Sequence, residues 1–213
     1  MPAARRPRLD TPRAIAYLRE RDATLGAIID RVGRLQRARR GGDGNYYAVL
    51  VRAIVGQQLS TIAARTIHTR LLDHFGGHDP TPQQILQAST EDLRAVGLSG
   101  AKVGFLRSLA EHVLSGELEL ERLPELSDEE VIAELVAVKG IGEWTAHMFL
   151  MFELQRPDVL AVGDLGIRRA VQLAYGLEKM PAPKELTAIG EPWSPHRTLA
   201  CLYLWASLDN TPA

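Results

Sequence analysis

Cysteine is almost absent: Cys201 is the only one in 213 residues. A single thiol cannot close an internal disulfide, and it excludes a zinc site built on several cysteines and a four-cysteine iron–sulfur cluster. Cys201 lies in the apolar run 199–205 and reads as a small buried hydrophobe. No stretch approaches the roughly 18 consecutive apolar residues of a membrane span, so no membrane partner is expected. The basic start, residues 1–10, is not followed by an apolar signal core, which points to a cytoplasmic protein. Strand-like alternation of Val, Ile and Thr is scarce, which argues against a β architecture. An excess of one charge is also missing: 25 Lys and Arg face 26 Asp and Glu, a net charge of −1. Any polyanion must therefore be held by a few placed contacts and not by a broad positive field.

The charge that is present is unevenly placed. Residues 1–40 hold 11 Arg against 4 acidic residues (+7), leaving 14 basic against 22 acidic (−8) for the remainder. A basic N-terminal helical segment, residues 1–45, could track phosphates or simply be a solvated face. Apolar residues recur at three-to-four spacing almost throughout, predicting an all-α protein of ten or so helices. One or two helices are expected over 10–40, then a break at Gly41-Gly42-Asp43-Gly44. An apolar helix follows over 46–58, and Ser60 is placed to cap the next, over 61–75. Shorter helices are expected over 83–88 and 91–96, and a longer one over 100–114. Ser127-Asp128-Glu129-Glu130 is a capping box that opens a helix running to about Val138. Helices are expected over 143–154, from Asp164 to about Tyr175, and over 195–207, with Pro181 and Pro183 interrupting between the last two.

Lys139-Gly140-Ile141-Gly142 joins two of these helices. Two glycines allow a tight turn and close approach of another backbone. The second helix begins at that turn, and its unpaired amides and positive end suit a phosphate. Ile141 should turn inward and pin the turn. An ordinary αα-hairpin with a glycine turn would read the same way. Asp164, taken alone, is a good N-cap for the helix that follows it.

Residues 135–146 (LVAVKGIGEWTA) followed by 158–164 (DVLAVGD) resemble the helix-hairpin-helix–Gly/Pro–Asp DNA glycosylase superfamily. Within it the chain is most similar to the 3-methyladenine DNA glycosylase II family of alkylation repair. Residues 54–60 (IVGQQLS) resemble the segment that enters DNA beside the lesion, and 193–197 with 202–205 resemble the C-terminal helix. The resemblance implies one glycosylase domain over 46–208, built of two interleaved helical lobes with an active-site cleft between them, and leaves no room for the β-rich N-terminal domain of longer members.

It implies a monofunctional enzyme of base excision repair. Such an enzyme flips an alkylated base, such as 3-methyladenine or 7-methylguanine, out of damaged double-stranded DNA and hydrolyses the N-glycosidic bond. Asp164 becomes the catalytic carboxylate, stabilising positive charge on the sugar and orienting water. Trp144 and Trp193 become the base pocket, attracting a cationic purine through their indole faces. Trp205 and Tyr203 are assigned to the core, and Tyr46 and Tyr47 to the cleft. Gln58, with Leu59 beside it, becomes the wedge, and Lys139, Gly140, Ile141 and Gly142 the backbone anchor. Lyase-competent relatives such as endonuclease III carry a Lys where this chain has Trp144, and an indole cannot form a Schiff base. No cofactor is expected for the chemistry. The family hairpin implies a structural Na+ or K+ held by the backbone carbonyls of Val136, Val138 and Gly140. A monomer associated with a bacterial chromosome is expected. Two other readings stay open: a glycosylase for oxidised or mismatched bases, and a non-catalytic helix-hairpin-helix DNA-binding module.

Overall fold

The computed structural model describes residues 9, 11–35 and 44–209. Of the expected basic segment 1–45, residues 1–8, 10 and 36–43 lie outside the described residues, and with them most of the Gly41–Gly44 break. Twelve α-helices and no strand are present among the described residues. They are α1 Pro12–Arg21, α2 Ala23–Val32, α3 Tyr46–Gly56, α4 Thr61–His74, α5 Pro82–Gln87, α6 Thr90–Ala95, α7 Gly100–Ser115, α8 Asp128–Ala137, α9 Glu143–Phe152, α10 Leu165–Ala174, α11 Pro183–Gly190 and α12 Arg197–Asp209. The boundaries are written in the caps. Thr11, Ser60, Thr81, Ser89, Ser99 and Ser127 each accept a hydrogen bond from the amide three residues on. Each such cap is worth about 1 kcal/mol. At Ser127 the capping box closes as expected, with Glu130 accepting from the Ser127 amide.

The chain divides into two compact units, residues 1–41 with 147–213, and residues 42–146. In the first, α12 packs on α2 and α10, and α1 packs on α2. Leu18, Leu25, Ile28 and Ile29 are buried there, so α1 and α2 belong to a core instead of forming a separate arm. Asp22 divides them: its backbone is extended and one carboxylate oxygen caps α2 through the Leu25 amide at 2.9 Å. Asp158 fixes the start of α12, taking both arms of the Arg197 guanidinium at 2.8 Å and the Ser194 hydroxyl at 2.8 Å. Partial burial opposes its charge, but the hydrogen bonds from Arg197 and Ser194 and the guanidinium charge prevail and hold its carboxyl below the usual range. Cys201 is buried as expected, and burial pushes its thiol up to about 12. The stretch expected only as an interruption between two helices holds a further one: Pro183 starts α11 at a position where its missing N–H costs nothing.

In the second unit α7 is the central helix, with α3, α5 and α6 packed on it. Its buried Val103, Leu106 and Leu109 join Ile54, Ile85 and Leu93 in a shared core. Each such side chain contributes about 1.5–3 kcal/mol by leaving water. Tyr46 and Tyr47, expected at a cleft, are buried instead. Burial raises the Tyr47 phenol, whose oxygen has no hydrogen-bond partner.

Candidate active site

Asp164 is the N-cap of α10, as its residue type predicted. Its Oδ1 accepts from the Ile167 amide at 2.8 Å. The same oxygen accepts a second bond at 2.8 Å from the indole N–H of Trp205. Two donors on one oxygen fix the rotation of a half-buried carboxylate. Trp205 is itself held by stacking on Phe152, with ring centroids 6.0 Å apart and planes 23° from parallel. Gly166 makes the arrangement possible: a Cβ there would stand 3.1 Å from Asp164 Oδ1 and 3.1 Å from Trp205 Cδ1. Trp205 is thus a partner of the carboxylate and not the core residue expected. A single indole N–H leaves no trace in periodicity, so only the fold could show it.

The opposite correction applies to Trp193. It is 0% exposed, and its indole N–H donates at 2.8 Å to Asp22 Oδ2, which also accepts from the Tyr175 hydroxyl. A ring with no exposed face has none to offer a base. Trp193 therefore ties the 191–193 turn to the start of α2. Trp144, in the first turn of α9, is 50% exposed.

The hairpin forms where expected. Val138 ends α8, its carbonyl accepting from the Ile141 amide at 3.0 Å, and the Gly142 carbonyl accepts from the Ala146 amide to start α9. Ile141 is buried and Lys139 is exposed. The two glycines do different work. Gly140 has φ +91, and a Cβ on it would lie 2.2 Å from Phe105 Cγ. Its missing side chain makes room for an aromatic ring of the protein itself. Gly142 has no atom within 4 Å of its would-be Cβ and is exposed, so its surface is open. The Lys139 amide donates to the Ser108 hydroxyl at 3.2 Å.

The turn after α3 carries Gln58 and Leu59. Gln58 is exposed with φ +57, a left-handed conformation costly for a residue with a side chain. Leu59 is 38% exposed, and Ile62, in the first turn of α4, is 74% exposed. Gln57 was not singled out from the sequence. Its side-chain amide donates at 2.7 Å to the carbonyl of Gly140. Two of the three carbonyls expected to hold a cation are therefore already engaged, Val138 by Ile141 and Gly140 by Gln57.

The model for "HhH-GPD superfamily base excision DNA repair protein" matches residues 51–195, a span holding the turn, the hairpin and Asp164. The chain belongs to this superfamily. DNA-3-methyladenine glycosylase 1 of Schizosaccharomyces pombe is 35% identical over 91% of this chain and 86% of its own length. A DNA-3-methyladenine glycosidase structure from Bacillus halodurans superposes with TM-score 0.83 and 38% identity, covering 97% of this chain and 94% of that one. The Schizosaccharomyces pombe 3-methyladenine DNA glycosylase in complex with abasic DNA superposes with TM-score 0.81 and 35% identity, over 91% and 95%. The superfamily match excludes Trp205, which lies beyond residue 195. No helix among the described residues is long and apolar enough to cross a membrane.

Proposed function

We propose that this chain is a monofunctional DNA glycosylase of the 3-methyladenine type. The observation that carries the reading is Asp164: a carboxylate fixed by two N–H donors, inside the segment that matches a base excision repair superfamily. The relatives named as 3-methyladenine glycosylases support the substrate class. A base inside the stack is out of reach, so the nucleotide rotates out and Gln58, with Leu59, occupies the gap. Gly142 and the first-turn amides of α9 receive a phosphate, a contact that positions the protein without reading sequence. Trp144 offers its exposed indole to the cationic base, worth about 0.5–2 kcal/mol.

The bond from the base nitrogen to C1′ breaks with its electron pair going to the base. The positively charged alkylated base leaves neutral and needs no general acid. Asp164 stabilises the cation left on the sugar and orients the water, whose oxygen bonds to C1′ as one of its protons passes to the Asp164 carboxylate. The products are a free base and an abasic site. Trp144, standing where lyase-competent members carry an amine, supports hydrolysis without strand cleavage. A Na+ or K+ at the hairpin would rest on the Val136 and Val138 carbonyls and share that of Gly140. Such an ion would add positive charge beside the phosphate and take no part in the chemistry. The protein works on damaged double-stranded DNA as a monomer.

The test is free-base release from a panel of damaged duplexes, read with and without alkali. The wild-type protein should release 3-methyladenine or 7-methylguanine, and strand breaks should require alkali. Asp164→Asn should bind lesion DNA and release nothing. Release undiminished in that variant would refute the mechanism. Nicking without alkali would refute the monofunctional assignment, and release confined to oxidised or mismatched bases would refute the substrate class.

A further inference from the structure

The hydrogen bond from Gln57 to Gly140 joins two parts of the proposed DNA surface that are 83 residues apart in sequence, the wedge turn and the hairpin. It is one side of a closed frame. The other sides are supplied by one helix, α7, through three residues spaced three apart. Lys102 donates its amine at 2.8 Å to the carbonyl of Val55, at the end of α3 just before the wedge turn. Phe105 packs into the space left by the missing Cβ of Gly140. Ser108 accepts from the Lys139 amide. The end of α3 and the hairpin are thus both mounted on α7, and Gln57 connects them directly.

We infer that Gln57 is a positioning residue that couples phosphate capture at the hairpin to insertion of the wedge, through its hydrogen bond to the Gly140 carbonyl. The inference rests on the proposed function. Gln58 holds an unfavourable left-handed backbone, and such a conformation persists only where neighbours over-determine it. Its immediate neighbour, Gln57, is the residue bonded to the hairpin, and the carbonyl two residues before that is gripped by Lys102. A phosphate that seats the hairpin therefore also sets the register of Gln58. Without the bond the hairpin still binds backbone, but the wedge turn is free to relax its strained geometry and loses its aim at the gap. Affinity for undamaged DNA and the eversion step should then separate.

Three variants test this at saturating protein, on a duplex with 2-aminopurine beside the lesion, whose fluorescence reports unstacking. Gln57→Met keeps the length and loses the donor. Gln57→Lys keeps a donor that can reach the carbonyl. Gln57→Glu keeps the shape but presents an acceptor to an acceptor. The Met and Glu variants should evert the nucleotide about tenfold more slowly, the scale of one lost hydrogen bond. The undamaged-duplex affinity of Gln57→Met should stay unchanged, its melting temperature should fall by no more than one lost hydrogen bond accounts for, and Gln57→Lys should restore eversion. Wild-type eversion by Gln57→Met, failure of Gln57→Lys to rescue, or an equal loss of undamaged-DNA binding would overturn the coupling. Normal eversion by the wild-type protein without base release would overturn the proposed function and leave the coupling intact. Absence of both in the wild-type protein would overturn both.

Discussion

The two hairpin glycines should respond oppositely to the same small change. In Gly140→Ala the new methyl meets Phe105 Cγ at 2.2 Å, so ring or turn must move by more than 1 Å to reach ordinary contact. The residue also sits at φ +91, where an L side chain is strained. The left-handed conformation costs about 1–2 kcal/mol. Overpacking of this kind costs about 1–3 kcal/mol more. The total, about 2–5 kcal/mol, corresponds to roughly 4–20 °C in melting temperature for a chain of this size. In Gly142→Ala the methyl meets nothing within 4 Å and carries no positive-φ penalty, so stability should change by no more than about 0.5 kcal/mol. Its DNA affinity should fall nonetheless, because the methyl occupies the face a phosphate approaches. Calorimetric melting and a salt titration of duplex binding read the two effects separately. Adding Phe105→Leu to Gly140→Ala should recover part of the packing cost and none of the backbone cost. Equal destabilisation by both single variants, or Gly142→Ala binding DNA like wild type, would refute this division of labour.

Other consequences follow from the carboxylate and its surroundings. Trp205→Phe keeps an aromatic ring against Phe152 but removes the donor to Asp164. A hydrogen bond to a charged group is worth about 1.5–3 kcal/mol, so single-turnover base release should fall roughly ten- to a hundredfold with little change in lesion affinity. Trp193→Phe should do the reverse: it leaves the Asp22 carboxylate with one donor fewer in the core, costs about 1–3 kcal/mol in urea melts, and leaves base release per folded molecule unchanged. A tenfold slower release in that variant would return Trp193 to the base pocket. For acid stability, the folded-state value of Asp158 lies below its unfolded one. Its contribution is therefore present above the ordinary carboxylate range near pH 3.9 and is lost as the pH falls through the lowered value. Asp158→Asn should be less stable than wild type at pH 7, and the gap should close below about pH 4. A gap that persists undiminished at pH 2 would contradict that assignment.

Local physics explains which features were readable before any coordinates. Ser127 with Glu130, Ser60, Ser99 and the Gly-Ile-Gly turn each act through neighbours three or four residues away, and each formed where expected. The N-cap role of Asp164 is local in the same sense, and the superfamily motif raised it to a catalytic candidate. What the tertiary structure decided was the fate of side chains whose partners are distant in sequence. Trp193 and Trp205 have the same ring and the same single donor. One is committed to Asp22 across 171 residues and the other to Asp164 across 41. Likewise Gln57 and Gln58 are identical neighbours, yet one bonds the hairpin and the other is exposed on a left-handed backbone. Amphipathic spacing and caps specify helices because those energies are set within a turn. The choice between an indole that packs and an indole that holds a carboxylate is set by which helix lands beside it, and that information resides in the packing of α2, α10 and α12.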